Sequence, residues 1–295
     1  MDAATVAFIG GGNMAGALLG GLLGRGAQGS AARGGALGGS GGRPRSILVV
    51  EPDAERRAAF GRDGTVTAMA AADASLARAN VIVWAVKPQA FRDAAAPVAS
   101  HAANALQLSV MAGIPSAAIA EATGSARVVR AMPNTPALIG EGISGVFATA
   151  AVGPGDRALA DRLLAPAGER VWFDDESSLD AVTALSGSGP AYVFLLLEAM
   201  TDAGRAVGLS DDASRRLALQ TLAGAARLAW QSDLSAAELR RQVTSPGGTT
   251  EAALRVLEAR GVREAVAEAV RAARDRAREL GAPPSNPNDP ETPSP

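Results

Sequence analysis

The stretch Val6-Ala7-Phe8-Ile9-Gly10-Gly11-Gly12-Asn13-Met14-Ala15 stands at the start of the chain and decides its fold. An apolar run ends in the spacing Gly10-x-Gly12-x-x-Ala15, which predicts a strand, a tight turn and the start of a helix. Gly10 permits the sharp turn, Gly12 lets the backbone approach a pyrophosphate, and Ala15 lets the helix pack closely on the strand. Because amides at a helix start favour an anion, the stretch predicts a dinucleotide-binding site.

The composition is typical of a globular protein with two domains. The chain has 295 residues, of which 47% are hydrophobic and 20% are charged. Its net charge of -2 gives no argument for a nucleic acid or an anionic membrane as partner. We expect no segment with the roughly 20 apolar residues that cross a bilayer, and no secretory signal at the start. Together with the absence of cysteine, these expectations favour a cytoplasmic protein.

Scarce residue types limit the chemistry that the chain can perform. There is no cysteine, which excludes disulfides, thiolate zinc sites and cysteine nucleophiles, and we predict no metal site. Lys87, His101 and Tyr192 are the single residues of their types. We expect His101 to lie in an exposed loop without an acidic neighbour. Few side chains therefore remain for general acid or base catalysis.

More strands of a parallel sheet are predicted in the first half of the chain. Apolar runs that end in turn-forming residues occupy 47–50, 81–86, 106–110 and 127–132, and 143–148 and 170–173 could add further strands. Lys87 follows one of these runs at the edge that faces the cofactor crevice, although a lysine beside a loop proline is an equal alternative. Residues 27–46 are rich in glycine, alanine and serine, and we expect a flexible surface insertion there.

The residues after the second strand bear on the choice of cofactor. Glu51 stands where a dinucleotide fold places the residue that meets the adenosine ribose. An acid there favours a 2′-hydroxyl, whereas Arg56 and Arg57 could attract a 2′-phosphate, although arginines of this kind more often form a solvated helix face. NADH and NADPH therefore both remain open.

After residue 174 the pattern changes to long helices. They are predicted over 191–207, 211–230, 235–243, 249–260 and 262–280. The first is apolar nearly all round, and a helix without a polar face must be covered on every side. We therefore expect an oligomer with this helix in a subunit interface. The predicted domains are 1–174, 175–281 and a disordered tail over 282–295.

Two stretches rich in glycine and hydroxyl groups interrupt the helical half. They are Leu185-Ser186-Gly187-Ser188-Gly189-Pro190 and Thr244-Ser245-Pro246-Gly247-Gly248-Thr249-Thr250. We expect each to cap the helix that follows, and each also offers amides and hydroxyls to a carboxylate. Capping needs only one hydroxyl, so the pair Gly247-Gly248 favours contact with a ligand as well.

Five motifs together resemble the pyrroline-5-carboxylate reductase family, and they occur in that family's order. They are Phe8 to Ala15, Ala85 to Pro88, Arg130 to Pro136, Leu185 to Tyr192 and Thr244 to Thr250. The long segment 27–46 and Glu51 depart from the family, in which a preference for NADPH is common. The resemblance implies a Rossmann-type NAD(P)-binding domain followed by an all-α dimerisation domain. It also implies reduction of 1-pyrroline-5-carboxylate to L-proline with NADPH or NADH, in a homodimer or a decamer of dimers.

The resemblance further implies the roles of individual residues. The predicted cofactor contacts are Gly10, Gly12, Asn13 and Met14 at the pyrophosphate, Glu51 at the ribose, and Ala85, Val86, Lys87, Pro88 and Ala112 along the nicotinamide half. The predicted substrate contacts are Glu176, Ser245, Gly248, Thr249 and Thr250, with Thr250 as the catalytic residue beside the ring nitrogen.

Three other functions remain open at this point. A β-hydroxyacid dehydrogenase has a similar layout. Members of that group resemble one another in a catalytic lysine near the start of the helical domain, and this chain has no lysine after Lys87. A reductase of a larger cyclic imine is not distinguished by these motifs. A regulatory module that binds a cofactor without catalysis is the third, and the intact stretch from Ser245 to Thr250 argues against it.

Overall fold

The computed structural model describes residues 4–23, 44–60 and 64–281. The predicted insertion at 27–46, except for residues 44–46, lies outside the described residues. The predicted tail at 282–295 lies outside them as well.

Strands and helices alternate in the first part of the described chain, and helices alone make up the last part. In chain order the described elements are β1 (Thr5–Ile9), α1 (Asn13–Leu22), β2 (Ser46–Val50), α2 (Ala54–Phe60), β3 (Val66–Met69), β4 (Val81–Trp84), α3 (Phe91–Ala102), β5 (Leu106–Ser109), α4 (Ser116–Thr123), β6 (Val128–Met132), β7 (Gly142–Ala148), α5 (Pro154–Leu164), β8 (Gly168–Phe173), α6 (Ser178–Val182), α7 (Gly189–Ala206), α8 (Asp211–Trp230), α9 (Ala236–Gln242), α10 (Thr249–Ala259) and α11 (Val262–Gly281).

The strands form one sheet in the order β3-β2-β1-β4-β5-β6-β7-β8. Neighbouring strands are parallel except for β6 and β7. The first six strands have the order of a dinucleotide-binding fold, in which the order reverses between β1 and β4. The predicted α/β fold with a Rossmann-type domain is therefore confirmed.

The sheet is covered by apolar side chains on both faces. Every residue of β1 is buried, and successive residues point into different clusters because side chains alternate along a strand. Val6 and Phe8 pack in the cluster that includes Leu18 of α1. Ala7 and Ile9 pack in the cluster that includes Val98 of α3. Burial on both faces explains why β1 is a continuous apolar run.

The described chain separates into two compact units. One unit contains the sheet up to Gly187 and also the end of α11 from Ala273, and the other is Ser188–Ala272. The second unit is helical, as the sequence predicted. None of the residues of α7 is buried, although the helix is apolar. The domain boundary predicted after residue 174 stays a prediction.

One expectation about membrane spans is wrong. The helical run Ser178–Ala206 has 29 residues and is long and apolar enough to cross a bilayer by length and composition alone. The run is this long because a π turn, Thr183–Gly187, joins α6 to α7 instead of a break in the helix.

The expectation for His101 is also wrong. This residue lies in the last turn of α3 and is half-buried, so it is not in an exposed loop. Hydrogen bonds from Ser75 lower the pKa of the Asp73 carboxylate, and the charge of His101 adds to this effect. This electrostatic effect joins residues from distant parts of the sequence.

We predict that Gly168→Ala destabilises the sheet strongly. Gly168 has a φ of +126°, and a Cβ at this position would collide with the backbone of Gly142 on β7. We expect the free energy of unfolding to fall by at least about 2 kcal/mol in urea denaturation. The control is Gly155→Ala in α5, where a Cβ meets nothing within 4 Å and stability should stay equal or rise. Equal stability of the two variants would contradict this account.

Candidate active site

The turn after β1 lies where the order of the strands reverses. The Gly10 N–H donates to the carbonyl oxygen of Val50, at the end of β2, over 2.9 Å. Gly10 has a φ of +96°, and a Cβ there would lie 2.8 Å from the carbonyl oxygen of Ala85, just after β4. A side chain is therefore excluded at position 10, and the turn is held between the ends of two strands.

Helix α1 begins directly after this turn and offers its first amides to a ligand. Gly12 is the N-cap residue with φ -69° and ψ -176°, and no side chain caps the helix. A Cβ at Gly12 would have only the Ala85 oxygen within reach, at 4.0 Å, so the backbone is open on this side. The first N–H groups of a helix have no acceptor within it, and the helix dipole favours an anion. The structure thus brings Gly10, Gly12, Asn13 and Met14 together at the uncapped start of α1.

The residues predicted along the nicotinamide half lie at the same edge of the sheet. Ala85, Val86, Lys87 and Pro88 follow β4, and Ala112 follows β5. Carboxyl ends of parallel strands share one edge, and this edge is where such folds bind their ligands. Lys87 and Ala112 are exposed there. The residues present therefore fit a dinucleotide with its pyrophosphate on the start of α1.

Glu51 lies at the end of β2, but its carboxylate is buried and engaged by the protein. The residue is 5% exposed. Its Oε2 accepts from the Gly11 N–H at 2.7 Å, and its Oε1 accepts from the Asp53 N–H at 2.9 Å. The Arg57 guanidinium donates to the carbonyl oxygens of Glu51 and Pro52, at 2.8 Å each. Both carboxylate oxygens thus bind backbone amides.

Gly11 has a role that the sequence reasoning missed. A Cβ at this position would lie 2.5 Å from Cε2 of Phe60 and 3.0 Å from Oε2 of Glu51. The end of β2 and the end of α2 therefore pack directly against the glycine turn. The spacing of the motif gives no signal for this, because its second position accepts any residue.

Glu176 forms a half-buried cluster with Ser116 and Arg130. The Ser116 N–H donates to Oε1 at 2.7 Å, its Oγ donates to Oε2 at 2.5 Å, and Nη1 of Arg130 donates to Oε1 at 2.6 Å. Burial disfavours the charged carboxylate, but the hydrogen bonds from Ser116 and Arg130 outweigh this effect and lower the pKa of Glu176. The cluster ties α4, β6 and the segment before α6 together.

Arg130 is a second residue that the site prediction missed. Its side chain is 11% exposed, and its Nε is buried without a hydrogen-bond partner among the described residues. An arginine inside the otherwise apolar strand β6 was an available signal, because charged residues are rarely buried unless they are paired. No sequence signal pointed to Ser116.

The stretch from Ser245 to Thr250 forms a tight turn at the start of α10. Gly247 has a φ of +71°, and its N–H donates to Oε2 of Glu251 at 2.7 Å. The Gly248 N–H donates to the Ser245 carbonyl oxygen at 3.0 Å. Ser245 and Thr249 are exposed and Thr250 is half-buried. The structure thus brings Ser245, Gly248, Thr249 and Thr250 together at one helix start.

The expectation that hydroxyl side chains cap these helices is wrong. Gly248 is the N-cap of α10 and Ser188 is the N-cap of α7, and neither makes a side-chain capping hydrogen bond. In the π turn, the Thr183 and Ser186 hydroxyls donate to carbonyl oxygens four residues earlier. The first amides of α10 therefore remain free of a side-chain cap, which suits an anionic ligand.

Two family models match the chain. Residues 176–280 match the model described as pyrroline-5-carboxylate reductase dimerisation. Residues 5–113 match the model described as NADP oxidoreductase coenzyme F420-dependent. These ranges correspond to the helical part and to the dinucleotide-binding part of the chain.

Similarity to known proteins extends over nearly the whole length. The pyrroline-5-carboxylate reductase of Pseudomonas aeruginosa is 44% identical, over 95% of this chain and 98% of the relative. The corresponding Pisum sativum enzyme is 38% identical, over 95% and 97%. A solved structure from Coxiella burnetii has a TM-score of 0.83 at 34% identity, over 95% and 99%. The Plasmodium falciparum pyrroline carboxylate reductase with NADP bound has a TM-score of 0.79 at 28% identity, over 96% and 100%.

We predict that Glu176→Gln lowers stability in a pH-dependent manner. At pH 7 the loss of charge opposite Arg130 should lower the free energy of unfolding by about 2 kcal/mol. The effect is smaller than for a fully buried ion pair, because Glu176 is partly exposed. The pKa of Glu176 is lowered in the folded protein, so its stabilising contribution is present above its ordinary pKa of about 4.3. That contribution is lost as the pH falls through the lower folded value.

Urea denaturation of the wild type and the variant at pH 7 and in steps below pH 4.5 measures this difference. The difference should shrink towards acid pH. The control is Glu121→Gln, an exposed carboxylate on α4, for which stability should not change. A difference for Glu176→Gln that is constant with pH would contradict the prediction.

Proposed function

The chain belongs to the pyrroline-5-carboxylate reductase family, and we propose on this basis that it reduces 1-pyrroline-5-carboxylate to L-proline with NAD(P)H. This reaction is the last step of proline biosynthesis. The observation that carries the proposal is the similarity over 95% of the chain, because it spans both the open glycine turn and the loop before α10. The residues proposed to bind the cofactor and those proposed to bind the substrate are therefore in one chain.

The first unit would hold the cofactor. The turn at Gly10 and the amides of Gly12, Asn13 and Met14 would bind the pyrophosphate at the start of α1. The exposed edge after β4 and β5 would receive the nicotinamide half, along Ala85, Val86, Lys87, Pro88 and Ala112. Bound NAD(P)H supplies the hydride.

The loop before α10 would hold the substrate. Its carboxylate would meet the Ser245 hydroxyl and the amides of Gly248 and Thr249, where the helix dipole favours a negative charge. The Thr250 hydroxyl would lie at the ring nitrogen and orient it. Glu176 is proposed at the substrate side on the family resemblance, although both of its oxygens accept hydrogen bonds from Ser116 and Arg130.

The chemistry needs no strong protein acid, which fits the scarcity of lysine, histidine and tyrosine. A protonated cyclic imine accepts a hydride at its carbon, and the π electrons of the C=N bond move to nitrogen to give the secondary amine. The protein's task is to hold the imine carbon in the reactive position. Such alignment can contribute about 7 to 11 kcal/mol to lowering the barrier.

The protein is an oligomer, and its helical unit contains the dimerisation surface. Val193, Phe194, Leu195 and Leu196 of α7 are between 50% and 66% exposed in the single chain. A second copy that covers this helix would remove the apolar surface from water. The match of residues 176–280 to a dimerisation model supports a protein partner for α7 over a lipid one. We propose a cytoplasmic enzyme without nucleic-acid or membrane partners.

Light scattering at micromolar concentration distinguishes the proposed assemblies. A homodimer has twice the chain mass of 29.5 kDa, and a decamer of dimers has a larger multiple of that mass. We expect no monomer, because the exposed face of α7 is too apolar to remain in water. A monomer in this measurement would contradict the proposed interface.

The proposed reaction is tested by the loss of reduced-nicotinamide absorbance with 1-pyrroline-5-carboxylate, run with NADPH and with NADH. We expect turnover that depends on the substrate, and the control omits it. Absence of turnover in a protein that still binds cofactor would contradict the proposed substrate and favour a larger cyclic imine or a regulatory role.

In the same assay, Thr250→Ala should lower kcat by about ten- to a hundredfold, as expected for one lost catalytic hydrogen bond. Thr250→Ser is the matched control, because it retains the hydroxyl group and should retain most of the activity. Unchanged kcat in Thr250→Ala would remove the proposed role of this residue.

A further inference from the structure

We propose that Glu51 positions the glycine turn for the cofactor pyrophosphate and does not select between the ribose forms of the cofactor. The inference rests on dinucleotide binding by the proposed function. It gives this acidic residue a positioning role that acts through the backbone of Gly11.

The first observation is the set of contacts that the Glu51 carboxylate makes. Glu51 is 5% exposed, and its two oxygens accept from the N–H groups of Gly11 and Asp53 at 2.7 and 2.9 Å. The first of these bonds joins residues 40 positions apart in the chain. Hydrogen bonds to a charged acceptor are stronger than neutral ones. The end of β2 is therefore fastened to the middle of the glycine turn.

The second observation is how the successive amides of the glycine turn are used. The Gly10 N–H is bound to the Val50 carbonyl oxygen, and the Gly11 N–H is bound to Glu51. Two successive amides are thus used to fix the turn against β2. The amides that follow, at the uncapped start of α1, are left for the phosphate oxygens. A turn held in this position loses less conformational freedom when the ligand binds.

The third observation is that the surroundings of Glu51 hold its carboxylate in place. A carboxylate that turned outward to a ribose would leave the half-buried Gly11 N–H without its acceptor, which costs free energy. Arg57 holds the carbonyl oxygens of Glu51 and Pro52 at 2.8 Å each, so the loop itself is also fastened. Phe60 packs against the same turn. On this proposal, discrimination at the 2′ position comes from another group.

The test measures binding of two fragments that contain the adenosine end and the pyrophosphate but no nicotinamide. Calorimetry with the full chain gives the Kd for ADP-ribose and for 2′-phospho-ADP-ribose. In Glu51→Gln the side chain keeps one acceptor oxygen, so one of the two N–H groups loses its partner. We expect both Kd values to rise together, by about three- to tenfold, with their ratio unchanged within about twofold.

Two further variants make the result specific. Glu55→Gln removes the same charge from an exposed position on α2 and should leave both Kd values unchanged. Gly11→Ala leaves the carboxylate intact but places a Cβ 2.5 Å from Phe60 and 3.0 Å from Glu51. It should displace the same contacts and give the same parallel loss. Thermal melting by circular dichroism checks whether Glu51→Gln folds. If it does not fold, Gly11→Ala tests the same contacts.

Three outcomes would overturn the inference. A selective loss of ADP-ribose binding in Glu51→Gln, with 2′-phospho-ADP-ribose unaffected or improved, would show that the carboxylate contacts the ribose. Unchanged binding of both fragments would show that the turn does not depend on Glu51. If the wild type binds neither fragment, the proposed cofactor site fails, and the inference fails with it.

Discussion

The close approach of backbone to backbone at Gly10 is the constraint on which the rest of the site depends. This residue lies between the end of β2, whose Val50 carbonyl oxygen it contacts, and the Ala85 carbonyl oxygen after β4. A side chain there would push the turn away from the sheet. Because the turn stays close, α1 begins at the point where the strand order reverses, and its uncapped amides face the edge where ligands of this fold bind.

Hydrogen-bonded carboxylates connect different elements of the first unit. Glu51 binds the amide of Gly11, and Glu176 binds Ser116 and Arg130 from two other elements. Both acids stand at positions that the sequence associated with ligands. In the folded chain the protein supplies their hydrogen-bond donors, because a carboxylate that is shielded from water is stable only when its oxygens are satisfied. An acid at the end of a strand can therefore act on a ligand through the backbone that it holds.

The helical part follows a different constraint, which is the lack of cover for α7. It packs against α8 in the same unit, but none of its residues is buried in the described chain. The π turn before α7 continues the helix from α6, so the family's glycine-rich motif is part of a long helix and does not start a new one. Oligomerisation thus belongs to the fold of this chain, since the hydrophobic effect opposes an exposed helix of this kind.

The sequence by itself determined the strand–turn–helix at Gly10, the change from sheet to helices, most strand and helix positions, and the residues grouped at the starts of α1 and α10. These features depend on local periodicity and on residues close together in the chain. The tertiary structure alone decided the short strand β3, the orientation of Glu51, the packing of Phe60 on Gly11 and the meeting of Ser116 with Glu176. These depend on contacts between distant residues, and no local pattern specifies which donor a buried acid will meet.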